Sequence, residues 1–338
     1  EGTVEALVSG MNGTIRKVSV TGPIGKTVVC EYGVIENTGG KTEEKTAVIE
    51  IAKAAGLTLL SEEERNPLYT TTYGVGEVIK DAVRNGCRKF IVGIGGSATN
   101  DGGAGMLQAL GFGLLKENGE QIPIGARGLE ELAEITDDNV IPELAECKFK
   151  IACDVTNVLC GETGASAVYG PQKGADEEMT ERLDRLLFSY ASLVKKKIPK
   201  ADSMYPGTGA AGGLGFAFLT FMDAQLESGI QIVIKETGLE QEIAKADLVI
   251  TGEGRMDGQT AMGKAPIGIA KIAKKYGKPV IAFAGAAARD AGACNEQGID
   301  AFFPILREAV SLEAAMKREN AEANMEAAVE QAYRLWRL

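Results

Sequence analysis

The chain has 338 residues, enough for one large or two ordinary domains. A hydrophobic share of 45% and a charged share of 25% are those of a soluble globular protein, and a net charge of −11 with no offsetting basic stripe argues against nucleic acid or an anionic membrane as partner. Histidine is absent, which excludes Ser-His-Asp and Cys-His nucleophilic systems and His-based zinc hydrolases. Acid–base work falls to Asp, Glu, Lys, Tyr or Cys, and a reaction resting on positioning and electrostatics, such as phosphoryl transfer, suits this inventory.

Cysteines stand at 30, 87, 147, 153, 160 and 294 with no C-x-x-C pair, a pattern expected of free buried thiols in a reducing compartment. No apolar run approaches the roughly 18 residues of a membrane span and no signal peptide is visible, so a cytoplasmic location is expected. The 43 glycines are nearly double the usual share of about 7% and follow no G-X-Y period, so they belong to loops.

In chain order, residues 2–11 read as a helix ended by Asn12-Gly13. Ile15–Val20, Thr27–Tyr32 and Thr46–Ile51 read as strands of an antiparallel opening, with turns at 21–25 and 37–40. Ser61-Glu62-Glu63-Glu64 reads as a capped helical turn. Val75, Val78, Ile79, Ala82 and Val83 recur at helical spacing and lead into a buried strand, Phe90–Ile94. Phe149–Cys153 is a second buried strand, and Met179, Leu183, Leu186, Leu187, Tyr190 and Val194 mark a long amphipathic helix. A helix over 216–227 follows. The last third alternates strand (247–251), helix (264–276), strand (279–284), strand (301–305) and a C-terminal helix (about 312–335), which argues for a parallel sheet with helices on both faces.

Three glycine-dense loops carry the chemistry. The first, Gly93-Ile94-Gly95-Gly96-Ser97-Ala98-Thr99-Asn100-Asp101-Gly102-Gly103, leaves a buried strand and opens a helix. Its glycines admit close approach to a ligand, and Gly95, Gly96, Ser97, Thr99 and Asn100 offer donors to phosphate. Asp101 adds an acceptor or metal ligand. The second, Pro206 to Gly215, offers the amides of Gly212 and Gly213 to a substrate, with close helix packing as the competing explanation. The third, Thr251 to Lys264, sets Glu253, Arg255, Asp257 and Lys264 at the carboxyl end of a strand, where open α/β sheets place ligands. Cations there hold phosphate or carboxylate, while a carboxylate binds magnesium or accepts a hydroxyl proton. Asp154, directly after a buried strand, is a hard-cation ligand or a turn cap. Lys173 is a phosphate contact. No Walker or protein-kinase signature is present. A dinucleotide-dependent oxidoreductase is the rival reading, since Gly93-Ile94-Gly95-Gly96-Ser97-Ala98 fits G-x-G-x-x-A, but Asn100-Asp101-Gly102-Gly103 breaks the helix that should begin at once. A non-catalytic small-molecule sensor is the other.

At these loops the sequence resembles the bacterial class I glycerate kinase family. The runs that carry the resemblance are Gly93–Met106, Ala152-Cys153-Asp154-Val155-Thr156-Asn157, Gly170-Pro171-Gln172-Lys173-Gly174-Ala175, Gly209–Gly215 and Ala246–Thr260, with Gly263-Lys264-Ala265-Pro266 and Phe303-Pro304-Ile305, in order and across essentially the whole chain. The resemblance implies phosphorylation of D-glycerate, at the 2-hydroxyl, by ATP with Mg2+. It also implies two α/β domains, one flavodoxin-like with a parallel sheet, and an active site in the cleft between them. Residues 1–12 with 240–338 are expected to form the flavodoxin-like domain, and 13–239 a mixed α/β domain inserted in sequence. Family members begin with a strand and an Asp-Ser-Phe-Lys-type loop, whereas this sequence opens in the later Gly-Glu-Gly-Thr run, here Glu1-Gly2-Thr3; an inactive chain is the corresponding expectation. By residue chemistry alone, the 93–103 loop and Lys173 bind ATP phosphates and Asp154 or Asp101 holds Mg2+. Arg255 and Lys264 grip glycerate carboxylate or the phosphoryl group, with Glu253 beside them, and Asp257 orients or deprotonates the hydroxyl.

Overall fold

The computed structural model describes residues 3–36 and 44–338, so the turn expected at 37–40 and the Glu1-Gly2 opening lie outside the described residues. The chain divides into two units, Glu1–Gly229 and Ile230–Leu338.

The first unit runs α1 (Thr3–Gly10), β1 (Thr14–Thr21), β2 (Thr27–Glu36), β3 (Lys45–Glu50), α2 (Ala52–Ala55), α3 (Tyr73–Arg84), β4 (Cys87–Gly93), α4 (Ala104–Ala109), β5 (Gly113–Leu115), β6 (Glu134–Thr136), β7 (Lys148–Ala152), α5 (Ala165–Tyr169), α6 (Glu177–Lys197), α7 (Ala210–Phe221) and β8 (Ala224–Glu227). Six strands form one sheet in the order β1-β2-β3-β4-β7-β8. The first two pairings are antiparallel, as expected of the opening, and the remaining three are parallel. The antiparallel opening is therefore one edge of a mixed sheet. The parallel strands are joined by the long connections that a parallel pairing needs. β4 is buried on both faces, and Phe90 stacks on Phe149 of β7 with centroids 4.6 Å apart. Helix α6 starts where Asp176 accepts from the Met179 N–H (2.8 Å) and buries Leu183, Leu187, Tyr190 and Val194. α1 packs on β2 and β3 with Leu7 fully buried, which places the opening helix with the first unit and corrects its expected assignment to the C-terminal domain.

Where a helix over 216–227 is expected, α7 ends at Phe221 and Ala224–Glu227 is β8, pairing residue for residue with Phe149–Ala152. Ala224-Gln225-Leu226-Glu227 alternates apolar and polar side chains over only four positions, too few to separate a strand from the end of the preceding helix, and an open sheet edge decides its state.

The second unit continues with α8 (Gly229–Thr237), α9 (Leu239–Lys245), β9 (Val249–Met256), α10 (Ala265–Lys275), β10 (Val280–Ala287), α11 (Ala293–Glu296), β11 (Ala301–Pro304), α12 (Leu312–Ala315) and α13 (Arg318–Trp336). Its three strands are parallel in the order β11-β10-β9. One face buries Val249, Val280 and Ala282 with Ile267 and Ala270 of α10; the other buries Phe283 and Ile305 with Ala332 of α13. Each unit is thus α/β. No helix among the described residues is long and apolar enough to cross a membrane.

Candidate functional site

The parallel strands of the first unit end in one row: Glu50 pairs with Gly93, Gly93 with Ala152, and Ala152 with Glu227. The loops that follow therefore leave the same edge of the sheet, the edge where such folds bind ligands. The loop after β4 is fixed by its neighbour after β3. The Leu57 N–H donates to the Gly96 carbonyl (2.9 Å) and the Ala98 N–H to the Ala55 carbonyl (2.8 Å).

Asp101 organises the far end of this loop. Its buried carboxylate accepts from the Thr72 N–H (2.8 Å), the Thr72 hydroxyl (3.0 Å), the Gly103 N–H (3.1 Å) and the Gly105 N–H (3.3 Å). Burial pushes its carboxyl upward, and the four donors pull it back toward the ionised form. With these donors taken and no exposure to solvent, Asp101 stands as an internal cap, and its expected role as a metal ligand is corrected. The same geometry closes the first turn of α4 to an outside anion. It also removes the helix start on which a dinucleotide reading depends.

Lys173 enters from the Gly170-Pro171-Gln172 turn. It is only 2% exposed, and its Nζ donates to the Ser97 hydroxyl (3.0 Å) and the Thr99 carbonyl (2.6 Å). Burial lowers its ammonium from the ordinary 10.5 to about 7, against the opposing pull of Asp101. Thr99 and Asn100 are buried below the surface: Asn100 Nδ2 donates to the Ser166 hydroxyl (2.9 Å), and neither residue lines the cavity described next. Their expected side-chain contacts with phosphate are corrected to support of the loop.

A cavity of about 270 Å³ opens at this edge. Its lining includes Gly95, Gly96, Ser97, Gln172, Lys173 and Asp154, which offer polar groups. Val155, Tyr169, Ala210 and Ala211 line it as well and add apolar surface. Five of the residues expected from sequence in different loops (Gly95, Gly96, Ser97, Asp154 and Lys173) therefore meet in one place. Asp154 is exposed; its Oδ1 accepts from the Ser228 hydroxyl (2.9 Å) and the Gly229 N–H (3.1 Å).

Tyr169, Val155, Ala210 and Ala211 carried no sequence signal of their own beyond neighbouring a glycine run. Tyr169 closes α5, and its hydroxyl donates to Asn157 Oδ1 (2.6 Å). Asn157 Nδ2 donates to the Thr163 carbonyl (2.9 Å), and its own carbonyl accepts from the N–H groups of Gly207 (3.1 Å) and Gly209 (2.9 Å). The exit of β7 is thereby tied to the turn that opens α7. There Ala211, Gly212 and Gly213 take φ values of 52°, 66° and 94° in succession. A Cβ on Gly212 would fall on the Thr99 carbonyl, and one on Gly213 would sit 2.8 Å from Gly102 Cα. Gly212 and Gly213 are packing glycines against the 99–102 turn. Their expected role as substrate clamps is corrected for that reason.

The second unit holds the other expected residues. β9 runs on to Met256, so Glu253 and Arg255 are strand residues paired with Ala284 and Ala286 of β10, not members of a free loop. Gly252 and Gly254 suggest a loop, but β10 offers an edge along which Gly252 pairs with Phe283 and the strand continues to Met256. Asp257 starts the turn after β9, where its Oδ1 accepts from the Thr260 N–H (3.0 Å) and hydroxyl (3.2 Å). The Thr260 amide, with a contribution from Lys264, holds this carboxyl below its ordinary range. Lys264 is exposed at the start of α10.

No group of three or more Cys, Asp or Glu among the described residues could cage a metal by itself. Magnesium in phosphoryl-transfer sites needs less, since one or two carboxylates suffice beside substrate phosphates and water. The Asp154 carboxylate at the cavity, with only Oδ1 committed to Ser228 and Gly229, fits that requirement.

Comparison with known proteins gives the family. The chain is 48% identical over 318 residues to a glycerate kinase of Halalkalibacterium halodurans, covering 94% of this chain and 82% of that protein. It is 47% identical over 317 residues to glycerate 2-kinase of Escherichia coli K12, with coverage of 94% and 82%. A crystal structure of a candidate glycerate kinase 2 from Salmonella typhimurium LT2 superposes with a TM-score of 0.85 at 46% identity, covering 99% of this chain and 87% of that one. A model of the glycerate kinase family matches residues 1–337, and the chain belongs to that family.

Proposed function

We propose that this chain transfers the terminal phosphoryl group of ATP to the 2-hydroxyl of D-glycerate. The observation that carries the reading is the convergence of Gly95, Gly96, Ser97, Lys173 and Asp154 on one cavity at the carboxyl edge of parallel strands. Backbone N–H groups of the glycine loop and the Lys173 ammonium supply positive potential for phosphate, which phosphoryl transfer needs more than covalent help. The Asp154 carboxylate would hold Mg2+, which would supply charge neutralisation for the transferring phosphoryl oxygens. Lys173 also holds Ser97 and Thr99 in register, so the loop need not reorganise when the anion arrives.

For the second unit the proposal rests on residue chemistry. Asp257 is ionised at neutral pH and accepts the hydroxyl proton, while Arg255 and Lys264 hold carboxylate or phosphoryl oxygens, with Glu253 beside them. A coupled ADP-release assay with D-glycerate tests the activity, and phosphorus NMR of the product tells the 2-phosphate from the 3-phosphate. Asp154→Asn should lower kcat/KM by roughly 10²-fold or more, with part of the loss recovered at high Mg2+. Turnover within a few-fold of the unsubstituted enzyme removes Asp154 from the metal site.

A further inference from the structure

We infer that Ala211 is a specificity-determining residue of the first unit's cavity: its methyl bounds the space open to the carbon chain of the acceptor hydroxy acid. The inference rests on the glycerate kinase reading and deepens it. Two independent observations carry it.

The first is the backbone. Ala211 lies at φ 52°, ψ 40°, where a Cβ crowds the following carbonyl. Among the described residues only Asn12 also has a side chain at positive φ, and asparagine tolerates that region through its own short polar group. The flanking run already holds glycine at 209, 212 and 213, so glycine at 211 would relax the chain and cost one methyl.

The second is where that methyl stands. Ala211 lines the cavity with Ala210, Val155 and Tyr169, and the same cavity is lined by Gly95, Gly96 and Lys173. The Tyr169 hydroxyl is committed to Asn157, which keeps this wall apolar. At about 270 Å³ the cavity is smaller than the roughly 300–1,000 Å³ of sites for larger ligands. It suits a three-carbon acid beside a phosphoryl group. The polar lining groups take the charged oxygens and the apolar ones the carbon chain, whose length the Ala211 methyl limits. A methyl-sized change in an apolar pocket is worth about tenfold or more in discrimination.

Ala211 also packs against the buried core, so the test must separate wall from core. Full-length Ala211→Gly is compared with the unsubstituted enzyme on D-glycerate and on a four-carbon 2,3-dihydroxy acid, with melting temperature measured in parallel. The expected result is a melting temperature equal or higher, and a fall of about tenfold in the kcat/KM ratio that favours the three-carbon acid. Ala211→Ser, which keeps the Cβ, is expected to hold that ratio. A ratio within twofold in Ala211→Gly overturns the inference, as does a lowered melting temperature with the ratio intact, or a serine variant that behaves as glycine does. If the unsubstituted enzyme releases no ADP with glycerate, the kinase reading falls and takes this inference with it; an active enzyme with an unmoved ratio sinks the inference alone.

Discussion

A lysine ammonium enclosed on all sides is expensive unless something holds its charge. Lys173 meets that cost in part through the Ser97 hydroxyl and the Thr99 carbonyl, yet burial still brings its proton affinity down to about 7. The folded chain then binds this proton more weakly than the unfolded chain, whose lysine keeps the ordinary 10.5. Below about pH 7 both states carry the proton and the cost of burying it is present in full. Between about 7 and 10.5 the unfolded state holds more protons, so stability rises with pH across that window. Lys173→Met keeps the length of the side chain and removes the titration. Urea unfolding of both proteins at pH 7 and pH 9.5 should show the unsubstituted chain gaining on the variant at the higher pH. An equal difference at both pH values means that Lys173 is not titrating in this window.

At the level of elements, the site depends on how closely two turns approach. The turn that opens α7 lies directly on residues 99–102: the Gly102 N–H donates to the Gly212 carbonyl (2.9 Å), and the room for a Cβ at 212 is filled by the Thr99 carbonyl. Gly212→Ala adds both a left-handed backbone penalty and a backbone clash, at φ 66°. It should cost more than about 2 kcal/mol in denaturant unfolding, and push the loop that Lys173 holds away from the cavity. A cost near zero would mean that the two turns separate easily. This contact explains which parts of the site were legible in the sequence. Gly95, Gly96, Ser97, Asp154 and Lys173 announce themselves because glycine beside hydroxyl, carboxylate or ammonium after an apolar strand has few structural excuses. Thr99, Asn100, Asp101, Gly212 and Gly213 carry the same composition but serve the packing of turn on turn, and only tertiary structure distinguishes a donor aimed outward from one used internally. Tyr169, Val155 and Ala211 give no chemical signal of their own, since apolar residues that line a cavity look like core, although Val155 and Ala211 lie in runs that carry the family resemblance. The elements follow the same rule. Long periodic stretches such as α3 and α6 were readable, whereas β8 and the last residues of β9 exist because a neighbouring strand offers an edge.

At the level of the whole molecule, the two units do not share the burden of stability evenly. The first closes one large core around a six-stranded sheet, in which Phe90 stacks on Phe149 with centroids 4.6 Å apart and Phe218 meets Phe149 at a tilt with centroids 5.7 Å apart. The second has three strands and two small clusters, one on each face of the sheet. Its helix α13 spans 19 residues but buries only Ala332 fully, and Ile250 on β9 is 53% exposed. Burial per residue is what offsets conformational entropy, so the smaller core should open at lower denaturant. The sequence supplies a local probe, because its single tryptophan, Trp336, ends α13. In urea the Trp336 fluorescence change should precede the main loss of far-ultraviolet circular dichroism. Hydrogen exchange should leave the amides of β4 and β7 protected after those of α13 have exchanged. If fluorescence, dichroism and exchange instead move together in a single transition, the units unfold as one cooperative body, and the weaker packing of the second is made good by interactions beyond its own two clusters.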